Sequence, residues 1–350
     1  LLLDGREVLG VDNLMVCASR SRRSVGGWVL KRNQLRTEDV LDPVPTRNAR
    51  WRSRFRELVL QGGRDWSLTI RLYNRALAYR FSIRSKGLWE IRNEAALWHL
   101  DKAGTVCFPE EKSFQSHFEG LYQKCPLQEI APGRMAHLPL LVKTPAGVNL
   151  LFNEADVVDY PCLFLKRGEG GLENCFPGRV LESRPAKRGP DRNEEILADE
   201  RVVARVEGPC DLPWRVVSVS DDDRDLLGPD LVYALSRPGA SGEDWSWIRP
   251  GKVAWDWWNA NNLSGVPFTS GINTRTYMAF IDFAADYGLE YVILDEGWSR
   301  TTWDVLTPHP DMDVAELIRY GRERGVGLIL WLLWKPLDRN MGPVLDTFAS

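Results

Sequence analysis

The stretches VAWDWW (253–258) and YVILDEGW (291–298) are the clearest indication of the fold, because each runs from an apolar strand into acidic and aromatic residues. Near-continuous apolar strands are typical of parallel sheets that are covered on both faces. Residues 274–287, between the two stretches, carry apolar side chains at helical spacing and end at Gly288, which predicts a connecting helix. The sequence therefore predicts a strand–helix–strand unit with parallel strands.

The same pattern continues toward residue 350. A second helix fits residues 313–324 with Gly325 as its stop, a third buried strand fits 326–333, and a third helix is predicted to begin at Pro343. No G-x-G-x-x-G follows the first strand, which makes a doubly wound sheet the less favoured alternative. Polar and aromatic residues gather at the strand ends, where (β/α)8 barrels build their active sites. These residues are Asp256, Trp257, Trp258, Asn259, Asp295, Glu296, Trp298, Trp334 and Lys335.

The first 248 residues have a different pattern, in which short alternating stretches follow one another at close spacing. Many short strands separated by turn residues predict a large β-sandwich. The charged segment 184–193 contains proline and glycine and is predicted to be a surface loop. The whole is predicted to be a multidomain β plus α/β protein, with a β-sandwich over 1–248 and the first part of a truncated barrel over 249–350. The predicted strands of the sandwich include 68–72, 77–83, 202–206, 215–219 and 231–235.

Charge and hydropathy exclude several classes of protein. The formal net charge is -3 at pH 7, whereas proteins that bind nucleic acid usually carry a concentrated basic excess. The short basic stretch 20–23 is interpreted as a solvated loop. No apolar run reaches the roughly 20 residues of a membrane span. The start has neither the basic region nor the cleavage site of a signal peptide, and Asp4-Gly5 is a turn pair, so we expect the chain to begin inside its own first sheet.

Cysteine, histidine and tryptophan point away from metal or redox chemistry and toward sugars. The six cysteines form no C-x-x-C pair, so buried free thiols are expected rather than a zinc site. The four histidines show no metal-ligand spacing, and nothing resembles a nucleophile elbow or a phosphate loop. Nine of the 15 tryptophans lie between Trp245 and Trp334. Flat aromatic faces bind the C–H faces of sugars, although they also fill barrel cores.

The strand-end carboxylates are candidates for carbohydrate chemistry, since glycoside hydrolysis usually needs two carboxyl groups that flank the scissile bond. Asp295 and Glu296 are adjacent, so they point to opposite faces and cannot themselves form the pair. We expect at least one of them to bind sugar hydroxyls, with a structural salt bridge as the alternative. Asp256 is equally compatible with sugar contact and with a hydrogen-bonded strand end. Lys335 is equally compatible with hydroxyl binding and with solvation of a strand end.

A second acidic group contains Glu154, Asp156 and Asp159. Several acids close together indicate a hard-cation site, because Ca²⁺ takes 6–8 oxygen ligands. Taken alone, this group is more typical of a solvated turn.

The block 251–298 resembles glycoside hydrolase family 97, through GKVAWDWWN (251–259), GINT (271–274) and the 291–298 stretch. Segments around Glu154 and PWR (213–215) are also similar to family segments. The resemblance implies an exo-acting α-glycosidase with an N-terminal β-super-sandwich, a (β/α)8 barrel and a C-terminal β-domain. It further implies a calcium ion near the active site with Glu154 as a ligand, and an oligosaccharide or α-glycoside substrate.

The family has two mechanistic branches. Inverting α-glucosidases carry a base glutamate just after the third barrel strand, whereas the retaining branch includes α-galactosidases. This chain has LLWKP (332–336) at that place, with no carboxylate, so the resemblance favours the retaining branch. The nucleophile and the acid/base of that branch are then expected beyond Ser350. A further departure is NRA (74–76), where the family often has an Asp-Gly turn.

In this interpretation Trp257, Trp258 and Trp298 shape a sugar pocket and Glu296 holds hydroxyls. An inverting α-glucosidase, a non-catalytic carbohydrate-binding protein and a decayed fragment stay open as alternatives. Three barrel strands bury little of their own apolar surface, so we expect the isolated 350 residues to be inactive and prone to aggregation. Family members are often periplasmic or secreted, which is the location the resemblance implies.

Overall fold

The computed structural model describes residues 1–3, 5–19, 28–41, 50–100, 104–227, 231–237 and 244–348. The chain divides into two compact units, one made of 1–181 with 199–244 and the other of 182–198 with 245–350. The predicted basic loop and Asp4 of the predicted first turn lie outside the described residues.

The part of the chain before residue 221 is built almost entirely from strands. In chain order they are β1 Leu2–Leu3, β2 Arg6–Glu7, β3 Gly10–Ala18, β4 Val29–Leu41, β5 Arg50–Gly62, β6 Trp66–Tyr73, β7 Ala76–His99, β8 Thr105–Phe108, β9 Glu110–Glu111, β10 Gln123–Pro126, β11 Met135–Ala136, β12 Leu140–Lys143, β13 Asn149–Ala155, β14 Phe164–Arg167, β15 Gly171–Cys175, β16 Arg179–Pro185, β17 Glu194–Glu200, β18 Ala204–Asp211 and β19 Trp214–Ser220.

Fifteen of these strands form one continuous sheet within the described ranges. Strand β7 organises it, because its 24 residues pair with β3, β6, β15, β18 and β19. In the stretch 77–83, where simple alternation was predicted, both faces are covered: Tyr79, Phe81 and Ile83 lie in the main core and Ala78 in a second buried cluster. Cross-strand packing of such residues, together with the fully buried Trp89 and Trp98, stabilises the sheet. The mostly β character expected of this region is confirmed.

One local prediction in this region is wrong, and the bounds of another differ by two residues. Residues 231–235 form a short helix, α1 Leu231–Leu235, instead of a strand. A five-residue apolar run has no period that separates the two structures, so its composition alone misled the prediction. The predicted loop 184–193 lies partly in strands, because β16 and β17 form a separate two-stranded hairpin with 186–193 as its tip.

The second unit contains a three-stranded parallel sheet with the order β20-β21-β22. The strands are in register, with Trp255 opposite Ile293 and Leu294 opposite Leu330. Its elements are β20 Val253–Trp255, α2 Thr274–Tyr287, β21 Tyr291–Leu294, α3 Val314–Arg324, β22 Gly327–Leu330 and α4 Trp334–Phe348.

Helix ends in this unit follow ordinary capping chemistry. At the start of α2, the Asn273 side chain accepts a hydrogen bond from the Thr276 N–H at 3.0 Å. The helix ends at Gly288, whose φ of 67° lies in the left-handed region that glycine adopts most easily. Ala254 and Val292 point toward the helices and share a buried core with Ile281. The opposite face of the sheet carries Trp255, Ile293 and Ile329.

The third strand and the third helix differ from the prediction. The strand ends at Leu330 instead of Leu333, and α4 begins at Trp334 instead of Pro343. Pro336 lies in the first helical turn, where its missing N–H leaves no bond unmade. The helix is bent at Asn340, which has φ -124° and ψ 19°, and Pro343 follows this bend. Completion of a (β/α)8 barrel stays a prediction.

Candidate functional site

Asp256 lies at the carboxyl end of β20 and is only 1% exposed. Its carboxylate accepts hydrogen bonds from the N–H of Trp257 at 2.9 Å, from Asn261 Nδ2 at 3.1 Å and from the hydroxyl of Tyr277. The N–H of Asp295 completes the set at 3.3 Å. Burial raises the pKa of Tyr277, and its bond to Asp256 raises it further, so the phenol stays a proton donor.

These contacts favour the alternative in which Asp256 is a hydrogen-bonded strand end. A buried carboxylate with four protein donors has little accepting capacity left for a sugar hydroxyl. Its contact with the Asp295 N–H instead ties the end of β20 to the end of β21. Sugar contact by Asp256 stays a prediction.

Asp295 and Glu296 follow β21 and are more open to solvent. Asp295 is half-buried, and its Oδ2 accepts a hydrogen bond from the indole Nε1 of Trp255 at 2.6 Å. Its Oδ1 accepts from the N–H of Glu296, also at 2.6 Å. The Glu296 side chain is 44% exposed. The two acids thus point in different directions, as their adjacency predicts, and each is available to a ligand from its own side.

The tip of the β16–β17 hairpin contacts Glu296. Arg192 Nη2 lies 3.0 Å and 2.9 Å from the two Glu296 oxygens, and the same guanidinium pairs with Asp191 at 3.2 Å. The hydroxyl of Thr302 donates to Asp191 at 2.8 Å. The hydrogen bonds that Arg192 donates to Asp191 and Glu296 raise its pKa, so this side chain is a permanent cation beside the open carboxylate.

Lys335, in the first turn of α4, anchors the same hairpin tip. Its side chain is 7% exposed, and Nζ donates to the carbonyl oxygens of Pro190 at 3.0 Å and Asn193 at 2.8 Å. Glu194 pairs with it at 2.6 Å. Three acceptors match the three N–H donors of an ammonium group. In this arrangement Lys335 is bonded within the protein, which favours neither the binding of a sugar hydroxyl nor the solvation of a strand end. Hydroxyl binding by Lys335 stays a prediction.

The candidate tryptophans divide into exposed and buried groups. Trp257, Trp258 and Trp334 are 63%, 82% and 60% exposed. Trp298 is 1% exposed, and its indole N–H donates to the carbonyl of Trp331 at 2.8 Å. Trp298 therefore packs beneath the surface, while the other three offer open ring faces.

A cavity of about 180 Å³ opens beside these residues. Glu296, Trp298 and Trp331 line it together with the loop that follows β21. That volume is smaller than the roughly 300–1,000 Å³ of a typical small-molecule pocket. It places an aromatic wall next to the open carboxylate of Glu296.

Glu154 belongs to a separate buried cluster in the first unit. Arg215, itself 1% exposed, donates to both oxygens of Glu94 at 2.7 Å and to Glu154 at 2.6 Å. Both Glu154 oxygens also accept from the N–H of Leu163, at 3.2 and 3.1 Å. Burial raises the pKa of Glu154, and Arg215 offsets only part of this shift. Two carboxylates share one guanidinium, so the cluster carries an excess negative charge when both are ionised.

Asp156, which lies near Glu154 in the sequence, is occupied by arginines. Arg237 donates to Asp156 at 2.8 Å, and Arg80 lies 3.8 Å from it. Among the residues that the structure describes, no three His, Cys, Asp or Glu side chains come together as a metal site. All six cysteines are free thiols, half-buried except for the exposed Cys162, so they are less buried than expected.

Exposed tryptophans, strand-end carboxylates and a guanidinium are the kinds of side chain that suit sugars, since sugars offer both C–H faces and hydroxyl groups. The family comparison agrees. Residues 4–238 match the glycosyl-hydrolase 97 N-terminal model and residues 257–350 match the glycoside hydrolase 97 model. The chain belongs to glycoside hydrolase family 97.

Individual relatives point the same way. The chain is 34% identical over 324 residues to a retaining α-galactosidase of Bacteroides thetaiotaomicron, covering 89% of this chain and 49% of that protein. It is 27% identical to a probable retaining α-galactosidase of Streptomyces bingchenggensis, covering 97% and 45%. A family 97 enzyme of Pseudoalteromonas sp. strain K8 in complex with acarbose has the same fold, with TM-score 0.70, 21% identity and coverage of 92% and 49%. The chain thus spans about half the length of these relatives.

Several residues of the site were not found from the sequence. Asp191 and Arg192 lie in a charged segment that is typical of a solvated loop, and no local signal places them beside Glu296. Tyr277 was predicted only as a core residue of α2. Glu94 comes from the middle of β7 and meets Arg215 across 121 residues of sequence. Only spatial neighbours reveal these partners.

None of the helices in the described ranges combines the length and the apolar character that a bilayer crossing needs.

Proposed function

We propose that this sequence is part of a retaining α-galactosidase that hydrolyses terminal α-linked galactosides. One observation carries the choice of branch: the place where inverting relatives are expected to have a base glutamate holds Trp334 and Lys335. Lys335 is buried and bonded to three acceptors, so this position supplies a fixed cation and no carboxylate. The two retaining α-galactosidase relatives support the same choice.

In the retaining mechanism, a carboxylate attacks the anomeric carbon and displaces the leaving group, which an acid protonates. Water then hydrolyses the glycosyl-enzyme, so the product keeps its configuration. Following the family resemblance, the nucleophile and the acid/base belong to residues after Ser350. The residues present here bind and orient the sugar.

Binding is assigned to the site around Glu296. Its carboxylate accepts hydrogen bonds from sugar hydroxyls, while Arg192 beside it donates to hydroxyl oxygens. Trp257 and Trp258 offer open ring faces for the apolar side of the sugar. A donor and an acceptor next to an aromatic face distinguish hydroxyl positions better than an apolar pocket alone does.

The test compares 4-nitrophenyl α-galactoside with the α-glucoside, using the complete protein, and follows the anomeric configuration of the released sugar by NMR. Turnover of the galactoside with retention is expected. Turnover of the glucoside alone with inverted product would show the inverting branch instead. Galactose binding without turnover would indicate a non-catalytic carbohydrate-binding protein.

Calcium dependence is a second part of the proposal, with Glu154 as one ligand. The fit is partial: Glu154 has the oxygen donors that Ca²⁺ prefers, and its cluster has an excess negative charge, but in the described residues no three His, Cys, Asp or Glu side chains meet there. When bound, the ion supplies positive charge that oxygen groups of a ligand can use. Calorimetry of Ca²⁺ binding to the wild-type complete protein and its Glu154→Gln variant tests this, with loss of binding expected for the variant. Equal affinities would contradict Glu154 as a ligand.

A further inference from the structure

Trp255 donates a hydrogen bond to Asp295 but has no role in the binding site proposed above. It faces away from the helices, because its neighbour Ala254 is in the helix-packed core and strand side chains alternate. Ile293 is its register partner on β21. Two residues after Ile293, Asp295 points to the same side of the sheet. The side chains of Trp255 and Asp295 therefore meet in front of the strands.

Hydrogen bonds fix Asp295 from three directions. Trp255 Nε1 holds Oδ2 at 2.6 Å, the N–H of Glu296 holds Oδ1 at 2.6 Å, and the backbone N–H of Asp295 donates to Asp256. A carboxylate accepts about four hydrogen bonds, so one protein donor on each oxygen leaves room for a hydroxyl. Asp295 is thus oriented without being saturated, in contrast to Asp256.

The ring of Trp255 also takes part in a stack. Its centroid lies 5.9 Å from that of Trp258, with 26° between the planes. Trp255 is 41% exposed and Trp258 is 82% exposed. The indole that orients Asp295 is therefore also the inner member of an aromatic platform whose outer ring is open.

We infer that Trp255 is a positioning residue that determines sugar specificity: its indole N–H holds Asp295 for a sugar hydroxyl while its ring supports the Trp258 platform. This inference rests on the proposed function. α-Galactosides and α-glucosides differ only at C4, and the axial 4-hydroxyl of galactose leaves a continuous apolar face over C3, C4 and C5. That face lies on the platform, and the 4-hydroxyl donates to Asp295.

The test uses Trp255→Phe in the complete protein, because phenylalanine keeps a stacking ring and has no N–H. We expect KM for the α-galactoside to rise about 10- to 100-fold with kcat within about threefold, since a hydrogen bond to a charged group is lost. The preference for the galactoside over the glucoside falls in parallel. Trp247→Phe is the matched control, since Trp247 is 73% exposed and lies outside the site, and it leaves both constants unchanged.

Thermal melting shows whether Trp255→Phe is folded. If it melts like the wild type and keeps the KM and the preference, the inference is wrong. A fall in kcat at constant KM also overturns it, because Asp295 would then act in the chemical step. If Trp255→Phe does not fold, Asp295→Asn replaces it, and an unchanged preference in that variant overturns the inference.

If the wild type turns over no α-galactoside, the proposed function fails. The inference is then tested independently, by calorimetry of galactose binding to the wild type and to the variant. Binding by the wild type that is about 10-fold weaker in the variant supports it. Equal binding, or none by the wild type, overturns it.

Discussion

The two units hold their carboxylates in opposite ways. In the sheet of the first unit, Glu94 and Glu57 are each 1% exposed and bind arginines supplied by neighbouring strands. At the strand ends of the second unit, Asp295 and Glu296 are half-buried and exposed, and they retain accepting capacity. A charge in the interior needs fixed partners, whereas a charge at a strand end can exchange a protein donor for a ligand.

The largest expected effect comes from Arg215, the cation shared by Glu94 and Glu154. Arg215→Met leaves two buried carboxylates without it, so the free energy of unfolding of the complete protein should fall by about 3–5 kcal/mol. Urea denaturation measures the loss. Arg205→Met is the control, because Arg205 is 36% exposed and its pairs with Glu90 and Glu200 are worth about 1 kcal/mol or less. Equal losses of unfolding free energy in the two variants would contradict the expected difference between buried and exposed ion pairs.

Asp256 is the exception in the second unit, because it is buried like the carboxylates of the first. Asp256→Asn replaces one acceptor oxygen by an NH₂ group, which then faces either the donors of Tyr277 and Asn261 or the N–H groups of Trp257 and Asp295. The expected loss of stability is about 1–3 kcal/mol, measured by the same denaturation. The exposed Asp311 is the control, and its change to Asn should stay within about 0.5 kcal/mol. A neutral Asp256→Asn would show that the strand-end network contributes little.

Glu57 tests how the first unit responds to acid. Burial raises the pKa of this carboxyl, but hydrogen bonds from Arg36 and Arg71 outweigh burial and hold the pKa below 4.5. A lowered folded-state pKa stabilises the protein above about pH 4.5, and this contribution is lost as the pH falls through the folded-state value. The difference in unfolding free energy between wild type and Glu57→Gln should therefore shrink on titration from about pH 6 to pH 3. A constant difference over that range speaks against ionised Glu57 in this role.

The smallest effect on stability is expected for Arg192, whose side chain is 33% exposed while that of Glu296 is 44% exposed. Arg192→Ala should lower the free energy of unfolding by about 1 kcal/mol or less, because solvent screens such a pair. Its effect should appear in the KM for the α-galactoside, since a donor beside Glu296 is removed. Arg319→Ala, which changes an exposed arginine of α3 in the same unit and away from the cavity, is the control for both measurements. A fall of more than about 2 kcal/mol in the free energy of unfolding would show that Arg192 at the hairpin tip mainly stabilises the fold.

Local pattern predicted the second unit well. Helix α2 spans Thr274–Tyr287 and β21 spans Tyr291–Leu294, as predicted, because periodicity, Asn273 and Gly288 are all local signals. Helix α4 was missed over its first nine residues. Its start at Trp334 continues an apolar run that has no period to separate strand from helix.

The local sequence pattern could not predict which residues contact the carboxylates of the site. The sequence placed Asp256, Asp295 and Glu296 at strand ends, but it did not show which of them is saturated. That depends on Tyr277, one element away, and on Arg192, about 100 residues away. Such contacts follow from topology, which residue spacing does not contain.

The β16–β17 hairpin has a consequence for how the protein can be dissected. Residues 182–198 belong to the second unit, although the chain on both sides of them belongs to the first. A segment cut at residue 245 would leave the Lys335 ammonium without the carbonyls of Pro190 and Asn193 and without Glu194. The second unit is therefore not encoded by one continuous segment. A recombinant form of this unit, or a domain exchange, has to include both 182–198 and 245–350.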